Sequence, residues 1–352
     1  MKARKIFSAI GTVFFCLSFP QFSWAGEAQN AYNEGLKHYK AGNVKEAIRS
    51  YDRAVKADPN AAEAYLGRGA AYAKVGEYER AIKDYDAAIK LNNSLPDTYY
   101  NRGNVYSDLR RYERAVKDYD EAIRLNPKFA EAYNNRGQAQ YRLGQNDEAI
   151  KNYDTAIRLN PKLSDAYYNR GNAYFVAKQY ERAIKDYDEA IKLNPKYAMA
   201  HNQRGRSYYG LGQFEKAILD FNEAQQLDPK QAEFYYHRAL AQRRLGKHDL
   251  AVKDYTAAIK LNPKDAEAYS NRANAYSLLG QYDNALKDYD EAIKLDPKNA
   301  RIYGNRGMVK LRQGKNAEAE KDFKVAFDLD PNLKEKLEGA THEQKSGPTG
   351  KK

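Results

Sequence analysis

The sequence is poor in the residues that build disulfide frameworks, disordered chains and catalytic or metal centres. Its single cysteine among 352 residues, Cys16, excludes an internal disulfide. Eleven prolines and 22 glycines are too few for a disordered or collagen-like chain. No two of the five histidines have ligand spacing on one predicted helix, and no phosphate loop or serine elbow is present. We therefore expect a non-enzymatic protein with no metal and no cofactor.

Long apolar runs are missing too, except near the N-terminus. Three basic residues among the first five precede an apolar stretch at 6–19. Ser23 and Ala25 supply the small side chains that precede a signal-peptide cleavage site. Fourteen residues are too few to span a bilayer comfortably, so a retained anchor is the weaker alternative. The sequence predicts a signal peptide over residues 1–25 and an exported protein, periplasmic or extracellular. Cys16 lacks the small preceding residues that lipidation requires.

What the chain has instead is a repeat of 34 residues. Counting places from the start of each repeat, place 8 is Gly or Ala in all nine, places 20 and 27 are Ala, and place 24 is Tyr or Phe. Place 32 is Pro in eight repeats, with Asn93 as the exception. The nine repeats follow one another without insertion, at 28–61, 62–95, 96–129, 130–163, 164–197, 198–231, 232–265, 266–299 and 300–333.

These places predict two helices in each repeat. Places 4, 8 and 11 share one face of a first helix, and places 17, 20, 24 and 27 share one face of a second. Small residues at places 8 and 20 let the two axes approach, and aromatic rings fill the space around them. Gly at place 15 in seven repeats ends the first helix, and Pro at place 32 ends the second. Because such a pair cannot bury its apolar face alone, successive pairs must stack.

This pattern resembles the tetratricopeptide repeat over residues 28–333. The resemblance implies an all-α solenoid, a right-handed superhelix in which the first helices line a concave groove, and a function in binding protein partners rather than a small-molecule substrate. The subtype that clamps chaperone C-termini is set aside, because no repeat has Lys or Arg at place 6 and place 2 is mostly acidic.

Two places change together from repeat to repeat. Place 7 is Arg in the last eight repeats, and in the same eight place 23 is Asp or, once, Asn. The first repeat lacks both, with Glu34 and Ser50. We interpret the two as an ion pair between the helices of each hairpin. The alternative is that both side chains face water.

Asparagine and tyrosine supply the candidate binding residues. A carboxamide both donates and accepts hydrogen bonds, so a ladder of them could clamp the backbone of an extended peptide, as in family members that bind peptides. Rings at place 5 would add contact area, although they could instead pack between adjacent first helices. The predicted groove residues are Asn33, Asn101, Asn135, Asn169, Asn271 and Asn305 at place 6, Tyr100, Tyr168 and Tyr236 at place 5, and Asn104, Asn172 and Asn274 at place 9.

Within that set, the third to fifth repeats are the strongest candidates. Their ladder is unbroken at Asn101, Asn135 and Asn169, with Tyr100 and Tyr168 beside it. Replacing the three asparagines by alanine is predicted to weaken partner binding and to leave the packing untouched.

The charge balance leaves one competing function open. The net charge is +12, and removal of residues 1–25 leaves +9 because that segment holds three basic residues and no acidic one. Basic clusters such as Arg243-Arg244 could bind an anionic polymer or nucleic acid, although the export signal argues against nucleic acid. We expect the basic tail at 334–352 to be mostly disordered after a short turn near Leu337.

Overall fold

The computed structural model describes residues 26–334, so the predicted signal peptide and nearly all of the predicted tail lie outside the described residues. Between residues 26 and 334 the chain is all helical, as predicted, and contains no strand. The eighteen helices of this part are α1 (Gly26–Lys40), α2 (Val44–Ala57), α3 (Ala62–Lys74), α4 (Tyr78–Leu91), α5 (Pro96–Asp108), α6 (Tyr112–Leu125), α7 (Ala130–Arg142), α8 (Asn146–Leu159), α9 (Ser164–Val176), α10 (Tyr180–Leu193), α11 (Ala198–Gly210), α12 (Phe214–Leu227), α13 (Ala232–Arg244), α14 (His248–Leu261), α15 (Ala266–Leu278), α16 (Tyr282–Leu295), α17 (Ala300–Arg312) and α18 (Asn316–Leu329).

The helices come in consecutive pairs, one hairpin for each predicted repeat. The odd-numbered first helices cover places 1–13, with α1 starting two residues earlier, and the even-numbered second helices cover places 17–30. The prediction of an α-solenoid of nine hairpins is confirmed. The chain forms two compact units, one that ends at Ala177 with α9 and one that begins at Lys178 before α10.

Small residues and one ring build the interior of each hairpin. In hairpin 3, Ala115 and Ala122 at places 20 and 27 are fully buried. A Cβ built on Gly103 at place 8 would lie 2.8 Å from Cε1 of Tyr119 at place 24. The helices therefore approach until the ring contacts bare backbone, which explains why place 8 is small in every repeat.

Backbone geometry ends the helices where the sequence predicts. Place 15 lies in the left-handed region in every hairpin; seven glycines have φ between 72° and 81°, and Arg110 and Lys178 have φ of 58°. The second helix ends at place 30, and the acid or amide at place 31 then caps the turn. In hairpin 3, Asn126 Oδ1 accepts a bond of 3.1 Å from the backbone N–H of Lys128.

The ion pair predicted between places 7 and 23 is present. Arg68 binds Asp84 of its own hairpin through Nε at 2.8 Å and Nη2 at 2.7 Å. The sequence reading missed a second partner, since Arg68 Nη1 also binds Asp52 of the preceding hairpin at 2.7 Å. The guanidinium carbon lies 5.4 Å from the ring centroid of Tyr65 at place 4. Arg68 thus joins two successive hairpins as well as the two helices of its own, and Arg102, Arg204 and Arg306 do the same.

Candidate binding face of the first helices

We use the name first-helix face for the surface at places 5, 6 and 9 of the odd-numbered helices. In the unit that ends at Ala177, neighbouring first helices contact each other from α1 through α3, α5 and α7 to α9. In the other unit, α11 contacts α13 and α15 contacts α17. The predicted groove residues therefore lie along a series of adjacent helices within each unit.

In the first unit the amides form a continuous chain of hydrogen bonds. Asn169 Nδ2 donates to Asn134 Oδ1 at 3.0 Å, and Asn134 Nδ2 donates to Asn135 Oδ1 at 3.0 Å. Asn135 Nδ2 in turn donates to Asn104 Oδ1 at 2.9 Å and to the Tyr100 hydroxyl at 3.0 Å. The chain connects α9, α7 and α5, so the predicted ladder joins one repeat to the next.

The second unit repeats this arrangement with different partners. Asn271 Nδ2 donates to the Tyr236 hydroxyl at 3.1 Å, and Asn305 Nδ2 donates to Asn274 Oδ1 at 3.3 Å. In both units, then, a place-6 amide reaches place 5 or place 9 of the preceding repeat. The sequence contains this signal, because the acceptors recur at fixed offsets of 35 and 31 residues.

Two of the predicted groove residues belong to the packing. Tyr100 is only 2% exposed, and its ring lies 4.7 Å from Phe129 and 5.9 Å from Tyr119 between centroids. Burial raises the pKa of Tyr100 to about 12. Asn101 is 4% exposed. The alternative of packing between helices therefore holds for Tyr100, where Phe129 at place 34 covers the ring. Replacing Asn101 would disturb packing, and replacing Asn135 would remove bonds between helices. The prediction that alanine at these positions leaves the packing untouched is therefore wrong.

The other predicted residues remain at the surface to different degrees. Asn33 is exposed, and its Oδ1 accepts a bond of 3.1 Å from Gln29 Nε2. Tyr168, Asn172 and Tyr236 are partly exposed. Tyr236 also donates from its hydroxyl to Glu267 Oε2 at 3.4 Å. These side chains keep surface through which a partner could be contacted.

His237 replaces the amide at place 6 in the seventh repeat. Its Nδ1 lies 3.0 Å from Asn202 Oδ1, and its ring centroid is 5.7 Å from that of Phe221. Burial, with a smaller contribution from the Arg206 charge, lowers the pKa of His237 to about 3. The imidazole is therefore neutral near pH 7, and its Nδ1 lies against an amide of the preceding repeat, as the place-6 amide nitrogens do elsewhere.

The geometry decides which atoms the ladder can offer. Asn169, Asn271 and Asn305 each use the side-chain nitrogen in the bond to the neighbouring first helix, and each is partly exposed. Each can still present its carbonyl oxygen, an acceptor for a backbone N–H, and the second N–H of the amide. Gln138, at place 9 between Asn104 and Asn172 in the series, is exposed.

Residues 26–334 contain neither a membrane-spanning helix nor a cluster of metal ligands. None of the helices in this range combines the length and the apolar character needed to cross a bilayer. No group of three or more histidine, aspartate or glutamate side chains in the same range could hold a metal ion.

Several solved structures resemble this chain, and two of the three described next are tetratricopeptide repeat proteins. One from Parabacteroides merdae ATCC 43184 is 25% identical and covers 70% of this chain and 97% of its own, with a TM-score of 0.53. MamA is 30% identical, covering 47% of this chain and 96% of its own, with a TM-score of 0.43. YrrB, a TPR protein with an unusual peptide-binding site, is 23% identical, covering 57% and 99%, with a TM-score of 0.47.

No curated protein matches the sequence. Family models do, and they cover most of the array. Models described as TPR or tetratricopeptide repeat match residues 32–96, 103–144, 141–176, 164–197, 202–266, 266–299 and 288–321. Two of these segments, 164–197 and 266–299, coincide with the fifth and eighth hairpins, and the chain belongs to the tetratricopeptide repeat family.

Proposed function

We propose that this protein is a scaffold that binds an extended segment of a partner protein along the first-helix face. Membership of the tetratricopeptide repeat family supports protein–protein interaction in general, and the fold is typically a non-enzymatic scaffold. The observation that carries the finer proposal is the chain of place-6 amides, held in register by bonds to the preceding repeat.

Fixed amides suit the recognition of an extended backbone. A side chain that is already held by its nitrogen loses little rotamer freedom when its oxygen binds a partner, so the entropic cost of binding falls. Asn169 is held in this way by Asn134. An acceptor repeated from hairpin to hairpin can bind backbone N–H groups at intervals along an extended segment without reading its side chains.

Site-specific crosslinking tests where the partner lies. A photo-crosslinking residue at Gln138, exposed on the first-helix face, should capture the partner from an extract of the native cells. The matched control places the same residue at Lys117, which is exposed on the second helix of hairpin 3. Capture from Lys117 and not from Gln138 would overturn the proposed site.

Salt dependence separates this function from the competing one. Affinity for a protein partner held by backbone hydrogen bonds should change little between low and moderate salt. A steep, linear fall of log affinity with log salt would favour the anionic-polymer alternative, because such binding releases counterions.

We further propose that the partner is met outside the cytoplasm. The support is the basic start, the apolar stretch at 6–19 and the small residues at Ser23 and Ala25. N-terminal sequencing of the protein from a periplasmic or culture fraction should begin at Gly26. An intact Met1 in that fraction, or confinement of the protein to the cytoplasm, would overturn the proposal.

A further inference from the structure

Two positive charges interrupt a line of uncharged side chains along the first helices. Place 12 continues the side of the helix that carries places 5 and 9, because residues three and four apart lie on the same side. At places 5, 6, 9 and 12 of all hairpins, the basic residues are Arg206 at place 9 of hairpin 6 and Arg243 at place 12 of hairpin 7, and no acidic residue occurs. The two lie on the adjacent helices α11 and α13. These charges are therefore a local feature of the second unit and not part of the repeat.

The consecutive arginines Arg243 and Arg244 lie in different surroundings. Arg244 stacks on Phe214 of hairpin 6, with 4.9 Å between the guanidinium carbon and the ring centroid. Arg243 is partly exposed and lies near two tyrosines. Burial raises the pKa of Tyr236 and of Tyr255, and the Arg243 charge opposes the rise in both. The two arginines thus do not form one basic patch, and Arg243 is the one that lies beside the first-helix face.

Beside Arg243, a hydrogen-bond acceptor that hairpin 8 contains is missing. In hairpin 8 the hydroxyl of Tyr289 at place 24 donates to Asn274 Oδ1 at place 9, at 2.7 Å. Hairpin 7 has Leu240 at place 9, which cannot accept such a bond. The hydroxyl of Tyr255 at place 24 is accordingly buried without a hydrogen-bond partner in residues 26–334. Hairpin 7 therefore replaces an amide by an apolar side chain and adds a cation one turn further along the same helix.

Arg243 has no counter-ion in the part of the chain that the structure describes. Its Nε is buried without a hydrogen-bond partner, and no carboxylate between residues 26 and 334 forms an ion pair with it. Glu267, at place 2 of hairpin 8, accepts a bond from the Tyr236 hydroxyl instead. The two Nη groups of Arg243, unlike Nε, are not buried. A carboxylate from outside the chain can therefore reach them.

The surroundings of Arg243 strengthen an ion pair formed there. Tyr236 and Leu240 are partly exposed and pack against the buried ring of Tyr255, so apolar surface lies beside the guanidinium. Apolar surface limits the access of water, and attraction between charges is stronger where water is excluded. Arg206 adds a second positive charge, since its charge, after burial, is the second cause of the lowered pKa of His237 in hairpin 7.

We propose that Arg243 selects partner segments that carry an aspartate or glutamate side chain, whose carboxylate binds the Nη groups of Arg243. A guanidinium can donate two parallel bonds to the two oxygens of a carboxylate, which fixes the position of the acidic residue along the segment. The inference rests on the proposed function, because it takes a segment on the first-helix face as given. It differs from the subtype that clamps chaperone C-termini, since neither arginine is at place 2 or place 6.

The test selects binders from a displayed library of random peptides on the protein, on Arg243→Gln and on Arg244→Gln. Peptides selected on the unchanged protein should be enriched in aspartate or glutamate at one position, and Arg243→Gln should abolish this preference. Arg244→Gln removes the same charge from the next residue and should keep it. Arg243→Ser is a second variant, because hairpin 8 already has a serine, Ser277, at place 12.

A selected peptide that contains glutamate is then compared with the same peptide carrying glutamine. The acidic peptide should bind the unchanged protein about tenfold more tightly, and the two peptides should bind Arg243→Gln and Arg243→Ser equally. Circular dichroism checks that each variant is folded.

The outcomes separate this inference from the proposed function. Selected peptides without an acidic preference, or a preference that survives in a folded Arg243 variant, would overturn the inference alone. Runs of acidic residues whose selection is lost equally in Arg244→Gln would overturn it in favour of the anionic-polymer alternative. Failure of the unchanged protein to select any peptide would overturn the proposed function and this inference with it.

Discussion

The hairpin interiors and the first-helix face differ in how regular they are. Places 8, 20 and 27 are small and place 24 is an aromatic ring in every hairpin, and the alanines there are almost fully buried. On the first-helix face, place 6 ranges from a buried amide at Asn101 to a partly exposed one at Asn169 and an imidazole at His237. In the hairpin interior, the same residue type in every repeat therefore indicates close packing. At place 6 of the first-helix face, the residue type and its exposure differ between repeats, and some of these side chains are accessible to a partner.

The largest effect on stability should come from a larger side chain at a place that is small in every hairpin. Ala183 at place 20 is fully buried, so Ala183→Leu should destabilise the fold by about 1–3 kcal/mol because the larger side chain would have no room. Chemical denaturation measures this. Lys185→Leu is the control, since place 22 already holds an exposed leucine, Leu219, in hairpin 6. Equal losses in the two variants would mean that the packed face is assigned wrongly.

The pH dependence of stability should distinguish place 6 of hairpin 7, which holds His237, from place 6 of the other hairpins. The pKa of His237 falls from 6.5 to about 3 on folding, so the stability it contributes is complete above pH 6.5 and is lost as the pH falls toward 3. At pH 5.5 the loss should be about 1.4 kcal/mol. His237→Asn, which installs the amide found at place 6 in six hairpins, should remove this component. The measurement is the free energy of unfolding at pH 7.5 and 5.5 for both proteins; identical pH dependence would contradict it.

The turns offer a matched pair of smaller effects. Arg110 takes a left-handed φ of 58° where Gly144 of the next hairpin has 79°. Because a side chain is strained in that region, Arg110→Gly should stabilise the fold by about 0.5–1 kcal/mol, and Gly144→Arg should destabilise it by a similar amount. Melting temperatures of the two variants should move in opposite directions. A shift of the same sign in both would show that strain at this place is negligible.

The smallest stability effect should be on the face itself. Asn169→Ala removes one bond to the side chain of Asn134, which is buried and loses a donor, so it should cost about 0.5–1 kcal/mol. The same denaturation assay applies. A loss of stability larger than that of Ala183→Leu would contradict the assignment of place 20 to the packed interior and of place 6 to the first-helix face.

Much of the fold was predictable because its determinants are local and repeated. The helix pairs follow from small residues and rings at helical spacing, and the pair between Arg68 and Asp84 follows from two places that change together. The bond from Arg68 to Asp52 was missed, because Asp at place 25 looks like any solvated acid until the preceding hairpin is stacked against it.

The first-helix face was predictable only in part, because the exposure of its side chains depends on contacts with residues that are not among the recurring places of the repeat. The sequence marked Asn101 and Tyr100 as surface residues, yet both are buried, with Phe129 of the same repeat covering the tyrosine. The use of amide nitrogens between repeats was likewise missed, although the partners recur at fixed offsets, because no single repeat shows which side chains of adjacent first helices meet. Gln138 is exposed and Asn169 is partly exposed, so substitutions there test the face more directly than one at the buried Asn101.

The most direct test of the binding face uses the partner identified by crosslinking. Its affinity is measured for a double variant, Asn169→Ala with Gln138→Ala. Both side chains reach the surface of the first-helix face. The control is Lys83→Ala with Lys117→Ala, two exposed changes on second helices of the same unit. We predict that affinity falls by about tenfold or more, close to 1.4 kcal/mol, in the first variant and stays constant in the control. Unchanged affinity in the folded face variant, with a loss in the control, would contradict binding along the first helices.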